Sequence, residues 1–525
     1  MKSLQFQQFL SEFIPVLAKK STQLNKAMWI LETTGSNDAA DLKADLDGEV
    51  RMLFNDKKVY QQLLVWDDES TDPILDPILK RQLNILIRAF KQNQVPQELL
   101  ESLSRKEADL AQSYGAFRPK IGGKDVSEND IRQILKVESS VPLRKEAWEA
   151  SKKIGAVLAP QILALVKLRN EAAHSLGYAD YFQMQLHLQE VDPKWLLETL
   201  GHLANATDAA YETAMTFVND SLAKRFGTTD LGPWAWSEPF CQEDPLDNQE
   251  LDSLVDGLDM EKSATEFYQR LGFDVTGILK RSDMYERPGK NQHAFCINMD
   301  REGDIRNLNN ICPSIKWLET VLHELGHAIY ELGFNTKLPW LLKEPPHMIT
   351  TEAMALLAGR QAYLTSSLHL LLGPTKNPAL EKAEAGLARR ELIFSRWVLV
   401  MTEFESQLYS NPDQDLNQLW WNLVQKHQKI TPPIGRVGKF DWACKYHVGL
   451  APVYYFSYLL GEMFASSIQE SIFKACRDKG ISTKAAGQFL QEKLFAPGDS
   501  LSWDKLVEHV TGHPLNANAW IKEFC

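Results

Sequence analysis

The chain has 525 residues, 44% hydrophobic and 24% charged, with 28 Gly and 24 Pro, proportions that exclude a disordered, collagenous or low-complexity protein. Its 57 Lys+Arg against 69 Asp+Glu give a net charge of −12, which repels a phosphate backbone; with no local basic patch, no nucleic-acid partner is expected. No run of about 18 or more uncharged apolar residues argues for a membrane span. At about 150 residues per domain, length alone suggests roughly three or four domains.

The N-terminus, Met1 to Ile14, has its apolar residues interrupted by Gln, Ser and Glu, so it reads as a first helix and not as a signal peptide. Residues 5–35 and 75–115 carry helical periodicity, and Leu, Ile and Val recur at three- and four-residue spacing from Val141 through Leu186; the expected class is all-α. Polar, Pro and Gly clusters at 119–127, 226–250 and 430–438 read as loops. One segment departs from this pattern: His293 to Met299, then Asp300 to Asp304, then Ile305 to Leu308 reads as strand, turn and strand. An exposed strand edge can hold an extended peptide through main-chain hydrogen bonds; a hairpin that merely covers helix ends is the plainer alternative. Six cysteines (Cys241, Cys296, Cys312, Cys444, Cys476 and Cys525) show no CxxC spacing, which favours reduced thiols and a cytoplasmic location.

Beyond the hairpin, Leu318, Val321, Leu322, Leu325, Ile329 and Leu332 form an apolar helical stripe, with Gly333 as the expected stop. His323 and His327 are four residues apart on a neighbouring face, so they can share a metal ion, and Glu324 follows the first of them. This is HExxH: two neutral imidazoles hold one Zn2+, and the adjacent carboxylate takes a proton from water. The extended form HExxHxxGxxH is excluded, since positions 330 and 333 are Tyr and Gly.

A catalytic zinc needs a third protein ligand. The segment from Thr350 to about Leu372 starts with capping-type Thr, runs as an apolar helix and stops at Gly373-Pro374. Glu352, in its expected first turn, is the favoured ligand, although the helix dipole alone would account for an acid there. Glu331 and Glu344 are its rivals; the first is displaced one turn along the histidine-bearing helix, and the second precedes Pro345-Pro346 without rigid support. Two His and one Glu with an adjacent general base suit amide hydrolysis.

The order hairpin, HExxH helix and Glu-bearing helix, together with Lys445-Tyr-His-Val-Gly-Leu-Ala-Pro-Val-Tyr-Tyr-Phe, resembles the angiotensin-converting-enzyme family of peptidyl-dipeptidases. More distantly the chain is similar to the thimet-oligopeptidase and oligopeptidase F families. Leu176 to Tyr181 and Phe495 to Trp503 extend the match from about Val141 to the C-terminus, while the first 140 residues match loosely. The resemblance implies an elongated, two-lobed all-α body with a deep central channel and the hairpin beside the metal. Residues 1–525 would then be a single domain, with 1–140 covering the channel and 141–525 forming the catalytic body. It also implies that His293 and Ala294 bind substrate backbone, that His447 and Tyr455 stabilise the transition state, and that Lys445 holds the substrate C-terminus.

Several positions depart from the family pattern. The family clamps the substrate carboxylate with a Lys, a Tyr and a Gln; here the segment from Lys445 to Tyr455 is shorter and the Gln region reads Pro-Trp-Ala-Trp-Ser-Glu, so strict dipeptide release is not expected to carry over. Tyr454 replaces a chloride-binding Arg, so chloride activation is not expected. Leu356 stands four residues after Glu352, where a ligand-orienting carboxylate is usual, so that partner must come from elsewhere. Gln292 precedes His293, leaving the family disulfide without its first Cys. The expected function is zinc-dependent hydrolysis of oligopeptides near their C-termini by a monomer without membrane partners. A carboxypeptidase releasing single residues and a non-catalytic helical peptide-binding protein are the alternatives.

Overall fold

The structure, a computed structural model, describes residues 1–246, 249–373, 377–476 and 480–525. Caps and prolines cut the apolar periodicity into helices. Lys2–Thr34 runs as one helix through Pro15 and ends at Gly35, whose φ of 65° suits a residue without Cβ. The expected helix over 75–115 is two, Pro77–Gln92 and Gln97–Ala116, because Pro96 cannot continue the first and serves as the cap of the second. Val141 to Leu186 likewise divides into Val141–Ser151, Gly155–Ser175 and Tyr181–Leu188. The class is all-α, as expected. Two short hairpins interrupt it: β1 (Lys120–Ile121) with β2 (Lys124–Asp125), inside a segment expected to be loop, and β3 (Phe295–Asn298) with β4 (Ile305–Leu308).

The chain forms two compact units. The first comprises Met1–Gln94, Gln249–Glu384 and Leu460–Trp520. Its N-terminal helices bury Phe6, Leu63, Leu83, Leu86 and Phe90 completely, with Phe54 and Phe90 rings 5.4 Å apart. The same unit holds β3 and β4, in register Phe295 with Leu308 and Asn298 with Ile305. Asp283 pairs with Leu308 on the far side of β4, whereas among the described residues no strand pairs with the outer edge of β3. The second unit comprises Val95–Asn248, Ala385–Leu459 and Ile521–Cys525, cored by Trp148, Trp397 and Trp442, each at most 1% exposed.

Candidate active site

The helix Ile315–Leu332, the histidine helix, starts at Ser314, whose hydroxyl accepts from Trp317 N at 3.3 Å. Leu318, Val321, Leu322, Leu325 and Ile329 are fully buried, as the stripe predicts, but Leu332 is 45% exposed because the last turn runs out beyond the core. Gly333 ends the helix at φ −83°, not in the left-handed region. Packing explains the glycine instead, since a Cβ there would lie 2.6 Å from Phe495 Cβ.

The glutamate helix, Met348–Gly359, starts earlier than the Thr350 expectation because His347 caps it, its Nδ1 accepting from Ile349 N at 2.9 Å. Glu352 therefore lies in the second turn and not the first. The helix gives way to a 3-10 turn, Arg360–Ala362, before a separate helix Thr365–Leu372; Pro374, the expected stop, lies outside the described residues. The two helices cross closely at Gly326, where a Cβ would stand 2.8 Å from Ala355 Cα. The glycine inside HExxH thus lets the second helix bring Glu352 up to the histidine pair.

One ligand atom each of His323, His327 and Glu352 lies within 4.8 Å of the others. His323 Nε2 is 3.6 Å from Glu352 Oε2. His327 Nδ1 meets the Thr351 hydroxyl at 2.6 Å, which fixes the ring and leaves Nε2 for a metal. Thr351 is the orienting partner that position 356 lacks, one residue before the ligand instead of four after it. Sequence reasoning missed it because a threonine beside a cap reads as helix initiation. Neither Glu331 nor Glu344 belongs to the donor group; Glu344 is paired with Arg301 at 2.6 Å.

Burial dominates the electrostatics. It pulls His323 down to about 4 and, with His323 beside it, pulls His327 well below its ordinary value, so both imidazoles are neutral near pH 7 with a lone pair to share. Burial and the neighbouring Glu462 push Glu352 up to about 8; burial and Glu352 do the same to Glu324. Glu352 Oε2 is buried with no hydrogen-bond partner. Two neutral imidazoles and a carboxylate oxygen lacking a partner fit a zinc ion, which would also offset the cost of burying these carboxylates.

The second unit gathers the other expected residues. Lys445 Nζ donates to Gln242 Oε1 at 2.9 Å, and the Tyr455 hydroxyl donates to the same oxygen at 3.1 Å. The ammonium also lies over the rings of Phe240, Trp397 and Tyr455, 5.1–5.4 Å from their centroids. Burial brings Lys445 down to about 8. The His447 ring stands 4.6 Å from that of Tyr455 and is pulled to about 4 by burial and by Lys445. Burial raises the Tyr455 phenol above its usual range, which keeps it a proton donor. Gln242 went unrecognised in the sequence: it stands just past the Pro233 to Glu238 stretch in which a glutamine was sought, and 203 residues separate it from Lys445. His293 and Ala294 precede β3 and are not part of it, because an Asx turn (His293 N to Asn291 Oδ1, 2.9 Å) holds them outside the ladder.

An HExxH helix crossed by a glutamate helix defines a site of the zinc metallopeptidase class. The model of peptidase family M3 matches residues 134–525 and that of angiotensin-converting enzyme matches residues 2–233; the chain belongs to peptidase family M3. The second match carries the resemblance into the first 140 residues, further than the motifs reach. Among curated proteins, the mouse angiotensin-converting enzyme-like protein Ace3 is 24% identical over 503 residues, 86% of this chain and 67% of that protein. The angiotensin-converting enzyme of Mesocricetus auratus is 24% identical over 76% of this chain, and that of Mus musculus 25% over 72%. The chain spans only about a third of those two enzymes, 33% and 32% of their lengths.

Proposed function

We propose that this chain is a zinc-dependent peptidase that cleaves oligopeptides near their C-termini, with residues 1–525 acting as one catalytic body. The observation that carries this reading is the buried donor group His323, His327 and Glu352, with its unpartnered carboxylate oxygen, beside Glu324. Zinc, when bound, supplies a Lewis acid for the scissile carbonyl and lowers the pKa of water to about 7. Glu324, buried beside the histidine pair and ionised when the cation is bound, accepts a proton from the attacking water and passes it to the leaving amine. The resemblance assigns Tyr455 and His447 to donate hydrogen bonds to the developing oxyanion, and His293 with Ala294 to bind substrate backbone.

Lys445 and Gln242 together form a clamp for the substrate carboxylate. Their contact supports release of a C-terminal dipeptide more strongly than the sequence did, since it brings a glutamine beside Lys445. The absence of any disulfide among the six cysteines supports a reducing, cytoplasmic setting, and no helix among the described residues is long and apolar enough to cross a membrane. Mass spectrometry of products from a mixed peptide library tests the reading: dipeptides are expected. Single residues would mark a carboxypeptidase, and uncut peptides a binding protein.

A further inference from the structure

Beside the histidine helix, within the first unit, lies a cavity of about 500 Å3, the size of an ordinary side-chain or small-ligand pocket. Its walls are β3 and the residue after it, Met299, with Asn25 of the first helix, Trp340, Thr351 and Glu331. It reaches the catalytic helix: the Cys296 thiol on its β3 wall is pushed up by burial and by the charges of both Glu331 and Glu324. Asn25 Nδ2 donates to the carbonyls of Asn298 and Met299 at 3.2 Å, which closes one end of the free β3 edge. An extended peptide added along the rest of that edge would direct alternate side chains to one face of the hairpin.

The charges lining the cavity are almost all spoken for. Arg301 is paired with Glu344 at 2.6 Å and stacked over Trp340 at 4.3 Å, and Lys343 donates to Glu302 at 2.8 Å. Asp300 accepts from the N–H groups of Glu302 and Asp304 at 2.8 and 3.1 Å and so fixes its own turn. Glu331 differs: its hydrogen-bond partner is the neutral amide of Asn298, and the cation it feels, Arg301, is ion-paired with Glu344 instead of with it. Burial pushes it up to about 7, with the Asn298 amide opposing the rise, Glu344 adding to it and Arg301, already paired with Glu344, offsetting only part of it.

We propose that this cavity is a subsite for a cationic side chain of the peptide, arginine or lysine, and that the Glu331 carboxylate selects it. The proposal rests on the peptidase reading, and the test separates the two. Peptides carrying arginine or its uncharged isostere citrulline at successive positions, and lysine or norleucine likewise, are titrated against the inactive Glu324→Gln protein and assayed as substrates of the native enzyme. At one position about tenfold tighter binding and a similar gain in kcat/KM are expected for arginine and lysine over their neutral partners. Glu331→Gln should bring the ratio to about 1. Equal binding of arginine and citrulline at every position, or a preference that survives Glu331→Gln, overturns the subsite. The native protein decides the matter even where the variant fails to fold, and binding without cleavage would overturn the peptidase reading while leaving the subsite standing.

Discussion

Glu324, Thr351 and Lys445 each do something a neighbouring residue type would not. Glu324 lies next to His323, so Glu324→Gln keeps the shape and removes the carboxylate proposed as the base. Metal content by elemental analysis should be unchanged while kcat falls by about 10²–10⁴-fold, and a variant with wild-type turnover would sink the assignment. Thr351→Val retains the volume and removes the hydroxyl that meets His327 Nδ1; zinc affinity, measured by competition with a chelator, should weaken by about 10–100-fold. Lys445 is a cation only below its folded-state pKa of about 8. KM for peptides with a free C-terminus should therefore rise as pH passes upward through about 8, while C-terminally amidated peptides show no such rise; parallel profiles for the two would remove Lys445 from the clamp.

The crossing of the two ligand helices depends on a missing side chain. Gly326→Ala places a methyl 2.8 Å from a backbone atom of the partner helix, so the helices must part or the variant must strain. A loss of about 1–3 kcal/mol in denaturant unfolding is expected, together with a lower zinc content, because the shift moves Glu352 away from the histidines. These helices were also the most readable part of the chain. Periodicity gave the histidine helix, and the need for a third ligand pointed to Glu352. Boundaries were poorer: Pro96 divided one expected helix, and His347, a residue type seldom read as a cap, started another two residues early. Contacts between distant segments carry no local signature at all. Nothing along the chain marks Gln242 as the partner of Lys445, whereas HExxH marks itself by spacing alone.

At the scale of the molecule, the candidate ligands His323, His327 and Glu352 belong to the first unit, and Lys445, His447, Tyr455 and Gln242 to the second. Tyr455→Phe and His447→Gln should accordingly leave zinc stoichiometry at one per chain while lowering kcat by about 10²–10³-fold. Loss of metal in either variant would show that these residues support the zinc site and do not act on substrate. The single-domain expectation replaced a count of three or four that came from length, and it did so only through the family resemblance.

The first unit is assembled from three separated stretches of sequence. Gly461, in the last of them, packs against Glu352, where its Cβ would come within 3.1 Å of the glutamate's own. Its neighbour Glu462 is ion-paired with Arg360 at the end of the glutamate helix, both nearly buried. On the ribosome, where synthesis proceeds at about 5–20 residues per second, the histidines and Glu352 emerge long before these late residues. A nascent chain therefore carries the whole His323, His327 and Glu352 group while the surface that seals Glu352 and neutralises Arg360 is still unmade, so completion of this group waits for the stretch Leu460–Trp520.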